Sequence, residues 1–165
     1  MGGIGIFYGS STGNTRDVSE RLQEEVGGDL HNIAETDTRT IDSYEFLILA
    51  TSTWGMGDLQ DDWELFFPEL DRMDLSGKKI AIMGLGDQTN YGDAFCDSMA
   101  ILADKVAERG GKVVGATQTE GYTFAHSGAL RDGKFVGLVI DEDSQSEKTL
   151  QRIKQWAATL RKEFR

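Results

Sequence analysis

The residues best suited to chemistry in this chain are hydroxyls. The stretch "SSTGNT" (10–15) holds Ser10, Ser11, Thr12 and Thr15 around Gly13 and Asn14, and it carries no charge. An apolar run precedes it and a helical pattern follows it. Free N–H groups and the positive dipole end of a starting helix, joined by hydroxyl donors, make an anion site. A plain helix cap uses the same residue types, but the repeated hydroxyls favour phosphate. A nucleotide-hydrolysing loop would add Gly-Lys-Ser/Thr to reach a γ-phosphate and hold its magnesium. This loop has no such lysine, and it lacks the G-x-G-x-x-G of a dinucleotide site. It reads as a loop that retains a terminal phosphate monoester without cleaving it.

Two further loops carry aromatic rings. Trp54 lies in "TSTWGMGDLQDDW" (51–63) and Tyr91 in "GLGDQTNYGDAF" (84–95). Two loop aromatics on one edge could sandwich a flat aromatic ligand, and the backbone around Gly86 and Asp87 could meet its polar rim. The ligand implied is planar, with a hydrogen-bonding edge and a phosphate tail. Other candidates are weaker. His31 and His126 stand far apart, with no adjacent nucleophile and base. Cys96 is placed on one helix with Phe95 and Met99, as a packed thiol.

Elements that would position these loops are legible in the hydropathy pattern. Five short runs are apolar nearly throughout: "IGIFYG" (4–9), "FLILAT" (46–51), "KIAIMGLG" (79–86), "KVVGAT" (112–117) and "KFVGLVI" (134–140). Such runs suit parallel strands covered on both faces. The more polar "DLHNIAE" (29–35) suits a sheet edge. Helical stripes fall between them: Val18, Leu22 and Val26; Trp63, Phe66, Phe67 and Leu70; Phe95, Met99, Leu102 and Val106; and Leu150, Ile153, Trp156, Leu160 and Phe164. Strands alternating with helices imply a doubly wound α/β sheet, which binds ligands at the carboxyl ends of its strands. All three candidate loops follow strands.

Composition narrows the function classes. At 165 residues one domain over 1–165 is expected, with 17 Lys plus Arg against 28 Asp plus Glu and a net charge of −11. An acidic surface repels nucleic acid and anionic membrane, so neither is expected as a partner. A single cysteine cannot form an internal disulfide, which suits a reducing cytoplasm. "MGGIGIFYGS" has no signal-peptide pattern, and no apolar run approaches a transmembrane length.

Taken in order and spacing, "FYGSSTGNT", "TSTWGMGDLQDDW", "GLGDQTNYGDAFCD" and "GKFVGLVIDED" resemble the segments of long-chain flavodoxins. The resemblance runs from Ile4 to Phe164. It implies a flavodoxin-like three-layer sandwich, with a five-stranded parallel sheet of order 2-1-3-4-5 and helices on both faces. It also implies non-covalent FMN as cofactor. By that likeness Ser10, Ser11, Thr12, Gly13, Asn14 and Thr15 match the phosphate loop. Trp54 matches the inner ring cover and Tyr91 the outer one. Thr53, Gly55, Met56 and Gly57 complete the first ring loop; Leu85, Gly86, Asp87 and Phe95 belong to the second; Asp143 falls near the ribityl chain. "TQTEGYTFAHSGALRDG" (117–133) resembles the long-chain insertion and has no evident flavin chemistry.

The resemblance implies a low-potential one-electron carrier, not an enzyme, cycling mainly between flavin semiquinone and hydroquinone. A Gly55–Met56 peptide able to turn over would serve the first step. Carboxylates at Asp58, Asp61, Asp62, Glu64, Asp87 and Asp93 would oppose the second. One such charge ~10 Å away costs about 1.7 kcal/mol at an effective dielectric of ~20. Implied partners are redox proteins with basic docking surfaces, such as flavodoxin/ferredoxin-NADP reductase or pyruvate oxidoreductase, and the carrier itself is expected to be a monomer. An FMN-dependent quinone or NAD(P)H reductase of the same fold is the alternative. A phosphoacceptor receiver domain would need acidic residues where Gly9-Ser10 and Thr51-Ser52 stand.

Overall fold

The computed structural model describes residues 3–54 and 57–165, together with the backbone but not the side chain of Trp54. Four strands form the body of the sheet: β1 (Ile4–Tyr8), β2 (Asp29–Asn32), β3 (Phe46–Trp54) and β5 (Lys79–Leu85). A two-residue strand, β4 (Asp58–Leu59), folds back antiparallel on the end of β3. The far edge is shared by β6 (Lys112–Val114) and β9 (Leu138–Ile140), which pair parallel with successive halves of β5. The path β2-β1-β3-β5-β6/β9 is the expected 2-1-3-4-5 order, with its last strand in two pieces.

Helices cover both faces. Helices α1 (Asn14–Val26) and α5 (Thr149–Glu163) pack together over one. Their buried stripe of Val18, Leu22, Ile153, Trp156 and Leu160 meets Ile6, Ile48 and Met83. The short α2 (Thr38–Asp42) was not foreseen; with α3 (Asp61–Leu70) and α4 (Ser98–Glu108) it belongs to the other layer. There Trp63, Phe66, Leu70, Met99, Leu102 and Val106 bury Phe7, Leu47, Leu49, Ile80 and Ile82. The continuous apolar runs of β3 and β5 follow from this double burial.

Three boundaries differ from the sequence reading. Trp54 ends β3 in register with Asp58, so its backbone is in a hairpin and not a free loop. Helix α4 starts at Ser98, and Cys96 precedes it in a left-handed conformation (φ 53°), so Phe95 and Cys96 are not helical. "KFVGLVI" is two strands: β8 (Lys134–Phe135) pairs antiparallel with β7 (Leu130–Arg131), and only β9 joins the main sheet. Gly137 lies between them, where an added Cβ would sit 1.8 Å from the Ile82 carbonyl oxygen. No side chain fits that approach, so the chain re-enters the sheet at a glycine. Leu150, placed on the α5 stripe by spacing, is instead half exposed.

Candidate functional site

The loop after β1 is built around its own backbone. Ser10 Oγ accepts a hydrogen bond from the Gly13 N–H at 3.0 Å, and Gly13, at φ 95°, turns the chain into α1. The first helical bond runs from the Asp17 N–H to the Gly13 carbonyl. The N–H groups of Asn14, Thr15 and Arg16 have no acceptor among the described residues. Three donors at the positive end of a thirteen-residue helix therefore face outward, with Ser11 and Thr12 exposed beside them.

Gln60 holds this loop against the next one. Its side chain is 1% exposed and caps α3, its oxygen accepting from the N–H groups of Asp62 and Trp63. Its amide nitrogen donates to Ser11 Oγ at 3.1 Å. Sequence reading did not single out Gln60. A polar residue immediately before a helical stripe was the signal for a cap.

Between the ends of β1, β3 and β5 lies a cleft of about 430 Å³, within the range of small-ligand sites. One wall is Thr12, Asn14 and Thr15, and the floor includes Ser52, Thr53 and Leu85. Gly86, Asp87, Asn90 and Tyr91 form the second wall, and Glu142 and Asp143 close the end. Tyr91 is 56% exposed where it lines the cleft. Thr53 is anchored behind the cleft: its hydroxyl lies 2.7 Å from Ser98 Oγ and accepts the Ser98 N–H.

Two carboxylates at this edge behave oppositely. Burial alone would push the Asp87 carboxyl up. Bonds from the Asn90 backbone and side chain, the Ser144 hydroxyl and the Thr89 N–H hold it below the usual carboxylate range. Asp143 is raised, by partial burial first and then by the negative charges of Asp87, Asp141 and Glu142. Asp141 itself is fully buried and accepts from Gln88 and Ser144. Sequence reading missed Asn90, Glu142 and Asp141, because polar residues in a loop look alike until the fold aims them.

The cleft thus gathers Thr12, Asn14, Thr15, Thr53, Leu85, Gly86, Asp87, Tyr91 and Asp143, with Ser10, Ser11 and Gly13 shaping its phosphate-suited corner. Gly57 lies apart, against Asp97, in a hollow lined by Leu59, Phe67, Pro68 and Ile101. Phe95 does not line the cleft; it is 1% exposed and its ring stacks on Phe124. Gly55, Met56 and the Trp54 side chain lie outside the described residues. Asp58, Asp61 and Glu64 line the same hollow as Gly57; they are exposed and make no ion pair among the described residues, and Leu65, next to Glu64, is 80% exposed. Among the described residues no group of His, Cys, Asp or Glu could hold a metal ion. His31 is structural, stacked on Phe7 and bonded to the Tyr44 hydroxyl.

Residues 6–156 match the family model described as flavodoxin. The chain is 48% identical over 164 residues to a Nostoc sp. protein named flavodoxin, covering 98% of this chain and 96% of that one. It is 40% identical over 164 residues to flavodoxin 1 of Escherichia coli, covering 97% and 93%. The crystal structure of Fusobacterium nucleatum flavodoxin bound to flavin mononucleotide superposes with a TM-score of 0.95 at 34% identity, over all of both chains. The chain belongs to the flavodoxin family.

Proposed function

We propose that this chain is a one-electron carrier that holds FMN non-covalently in the cleft at the ends of β1, β3 and β5. The observation that carries this reading is the set of outward N–H groups at Asn14, Thr15 and Arg16, ringed by hydroxyls and opening onto a cleft with Tyr91 at its mouth. Those groups suit a dianionic phosphate and need no lysine. When bound, FMN supplies the one-electron redox chemistry, and the protein supplies orientation and electrostatics.

Each residue then has a task. Ser10, Ser11, Thr12, Gly13, Asn14 and Thr15 hold the phosphate. Tyr91 covers one ring face, with Trp54 assigned to the other by sequence alone. Thr53, Leu85, Gly86 and Asp87 border the ring, and Asp143 borders the chain between ring and phosphate. Gly55, Met56, Gly57 and Phe95 are assigned to the ring loops by likeness to the family. The carboxylates of Asp87, Asp141, Glu142 and Asp143 oppose added negative charge nearby, which lowers the potential at which an electron is accepted.

Partners follow from the surface. Exposed Asp58, Asp61 and Glu64, with Leu65, suit brief docking on basic patches of redox proteins, such as flavodoxin/ferredoxin-NADP reductase or pyruvate oxidoreductase. We read the carrier as a single monomeric domain of a reducing cytoplasm. Among the described residues no helix is long and apolar enough to cross a membrane.

The test is spectroscopic. Apoprotein titrated with FMN should quench flavin fluorescence and give a visible flavin spectrum, which stepwise reduction bleaches without NAD(P)H or quinone turnover. Riboflavin, lacking the phosphate, should bind more weakly. Equal affinity for both would remove the phosphate assignment, and steady turnover would make the protein an enzyme.

A further inference from the structure

A second concavity lies between α5 and the segment that follows β6 (116–122). Its volume is about 590 Å³, within the range of small-ligand sites and larger than the cleft of about 430 Å³. The two share no lining residue. Trp156 and Leu138, both buried, form its apolar floor.

Two cations converge on this cavity. A Cβ added to Gly121, in its wall, would lie 3.6 Å from Arg152 Nη2 and 3.9 Å from Lys148 Nζ. Neither cation forms an ion pair among the described residues. Arg152 is held in place by its own contacts. Its guanidinium carbon lies 3.9 Å from the centre of the Tyr122 ring, and Nη2 donates to Gln145 Oε1 at 2.8 Å. Nη1 is buried and has no acceptor among the described residues. The charge is fixed in the wall with no counter-charge, and a buried charge without a partner is destabilising.

Lys148 is half-buried, and its ammonium has no acceptor among the described residues. The three other half-buried lysines each have one. Lys78 and Lys105 reach carboxylates at 3.7 and 2.6 Å, and Lys79 reaches the Arg165 backbone oxygen. Lys148 and Arg152 also flank the first turn of α5, a fifteen-residue helix with no acid in that turn. A helix N-terminus is itself positive, so two cations there oppose its dipole. The chain has 28 acids against 17 bases, yet the one acid lining the cavity, Glu120, is exposed and pairs with neither cation.

We infer that this cavity is a second binding site, for a small phosphorylated polyol such as a sugar phosphate. The phosphate sits between Lys148 and Arg152, where Lys148 supplies movable donors and Arg152 a fixed charge. Gln118, Gln151 and Gln155 line the cavity as well, and their side-chain amides make no hydrogen bond among the described residues. Each offers donors and an acceptor, which suits hydroxyl groups. A nucleotide base would need a free ring to stack on, and both rings in the lining are occupied. Arg152 covers the Tyr122 ring, and the Trp156 indole is 1% exposed with its N–H donating to the Gly115 carbonyl.

Heteronuclear NMR of the isotopically labelled full chain tests this, with and without excess FMN. Glucose 6-phosphate should shift the Trp156 indole N–H and the Gln151 and Gln155 side-chain amides saturably, and equally in both conditions. Glucose should leave them in place, and inorganic phosphate should bind about tenfold more weakly than the sugar phosphate. Lys148→Gln removes a group that bonds to nothing in the protein. It should weaken glucose 6-phosphate binding about tenfold without lowering the Tm of the free protein, because a cation leaves the positive end of α5. An absent or non-saturable shift, a shift lost when FMN is added, or an unchanged affinity in Lys148→Gln overturns the proposal. So does a lowered Tm in Lys148→Gln, which would make the lysine structural. Inorganic phosphate or adenosine monophosphate binding as tightly as glucose 6-phosphate would overturn the choice of a polyol.

Discussion

Gly9 and Gln60 meet so closely that a Cβ added to Gly9 would sit 2.1 Å from Gln60 Oε1 and 2.7 Å from the Trp63 ring. The end of β1 and the start of α3 are thereby joined, and Gln60 reaches Ser11 across the junction. Gly9→Ala would force out a residue that caps one helix and fixes the loop of another. The expected loss is about 2–4 kcal/mol of apoprotein stability, from overpacking and a lost cap together. Chemical denaturation measures it, and FMN affinity should fall in the same variant.

The hydroxyls of the β1 loop should be separable from the ring-binding residues. Thr15→Val keeps shape and removes one donor from a buried position that lines the cleft. FMN binding should weaken by about 1.5–3 kcal/mol, the range for a hydrogen bond to a charged group. Riboflavin binding should not change. Paired fluorescence titrations of the two ligands give the answer, and equal losses for both would place Thr15 elsewhere.

Opposite pH signatures are expected from two neighbours. Asp87, held low, contributes stability that is present above the unfolded carboxylate value of 3.8 and is lost as pH falls through its lower folded value. Asp87→Asn should therefore cost about 1 kcal/mol at neutral pH and progressively less in acid. Asp143, held high, has its favourable contribution below 3.8 and loses it as pH rises through its raised folded value. Asp143→Asn should stabilise the apoprotein at neutral pH by no more than about 1 kcal/mol, since the group is largely solvated. Thermal melts across pH 3 to 8 should show the two differences with opposite sign.

Charge reversal at Glu64 should act on encounter and not on folding. Glu64→Lys is expected to slow reduction by a basic reductase about tenfold at low ionic strength. The difference should close near 1 M salt, where the Debye length is about 3 Å. Leu65→Ser, at an 80% exposed position, should change stability by less than about 0.5 kcal/mol. If it also slows reduction at high salt, the contact has an apolar component.

The parallel strands and the ligand edge were legible because strands buried on both faces write continuous apolar runs, as in "FLILAT" and "KIAIMGLG", while the sheet order came from the family resemblance. The hydroxyl loop was legible because helix starts advertise themselves in residue type. What escaped were features set by neighbours distant in sequence. "KFVGLVI" reads as one strand until Gly137 meets the Ile82 carbonyl. Phe95 reads as helical until the insertion takes its N–H and carbonyl. Gln60, Gln88 and Asp141 act over 49, 35 and 53 residues of separation, and no local pattern encodes such pairs.

The split last strand has one more outcome, concerning how copies of this chain meet. The Ile140 carbonyl faces inward, accepting the Gly86 N–H, so the carbonyls of Val139 and Gly137 point away from the sheet. Both are already taken, Val139 by the Tyr122 hydroxyl and Gly137 by the Thr117 hydroxyl. An incoming strand needs such acceptors free. At concentrations where flat, open sheets stick together, this border offers no vacant carbonyl along β9, and two side-chain hydroxyls act as its guard against fibrillar growth.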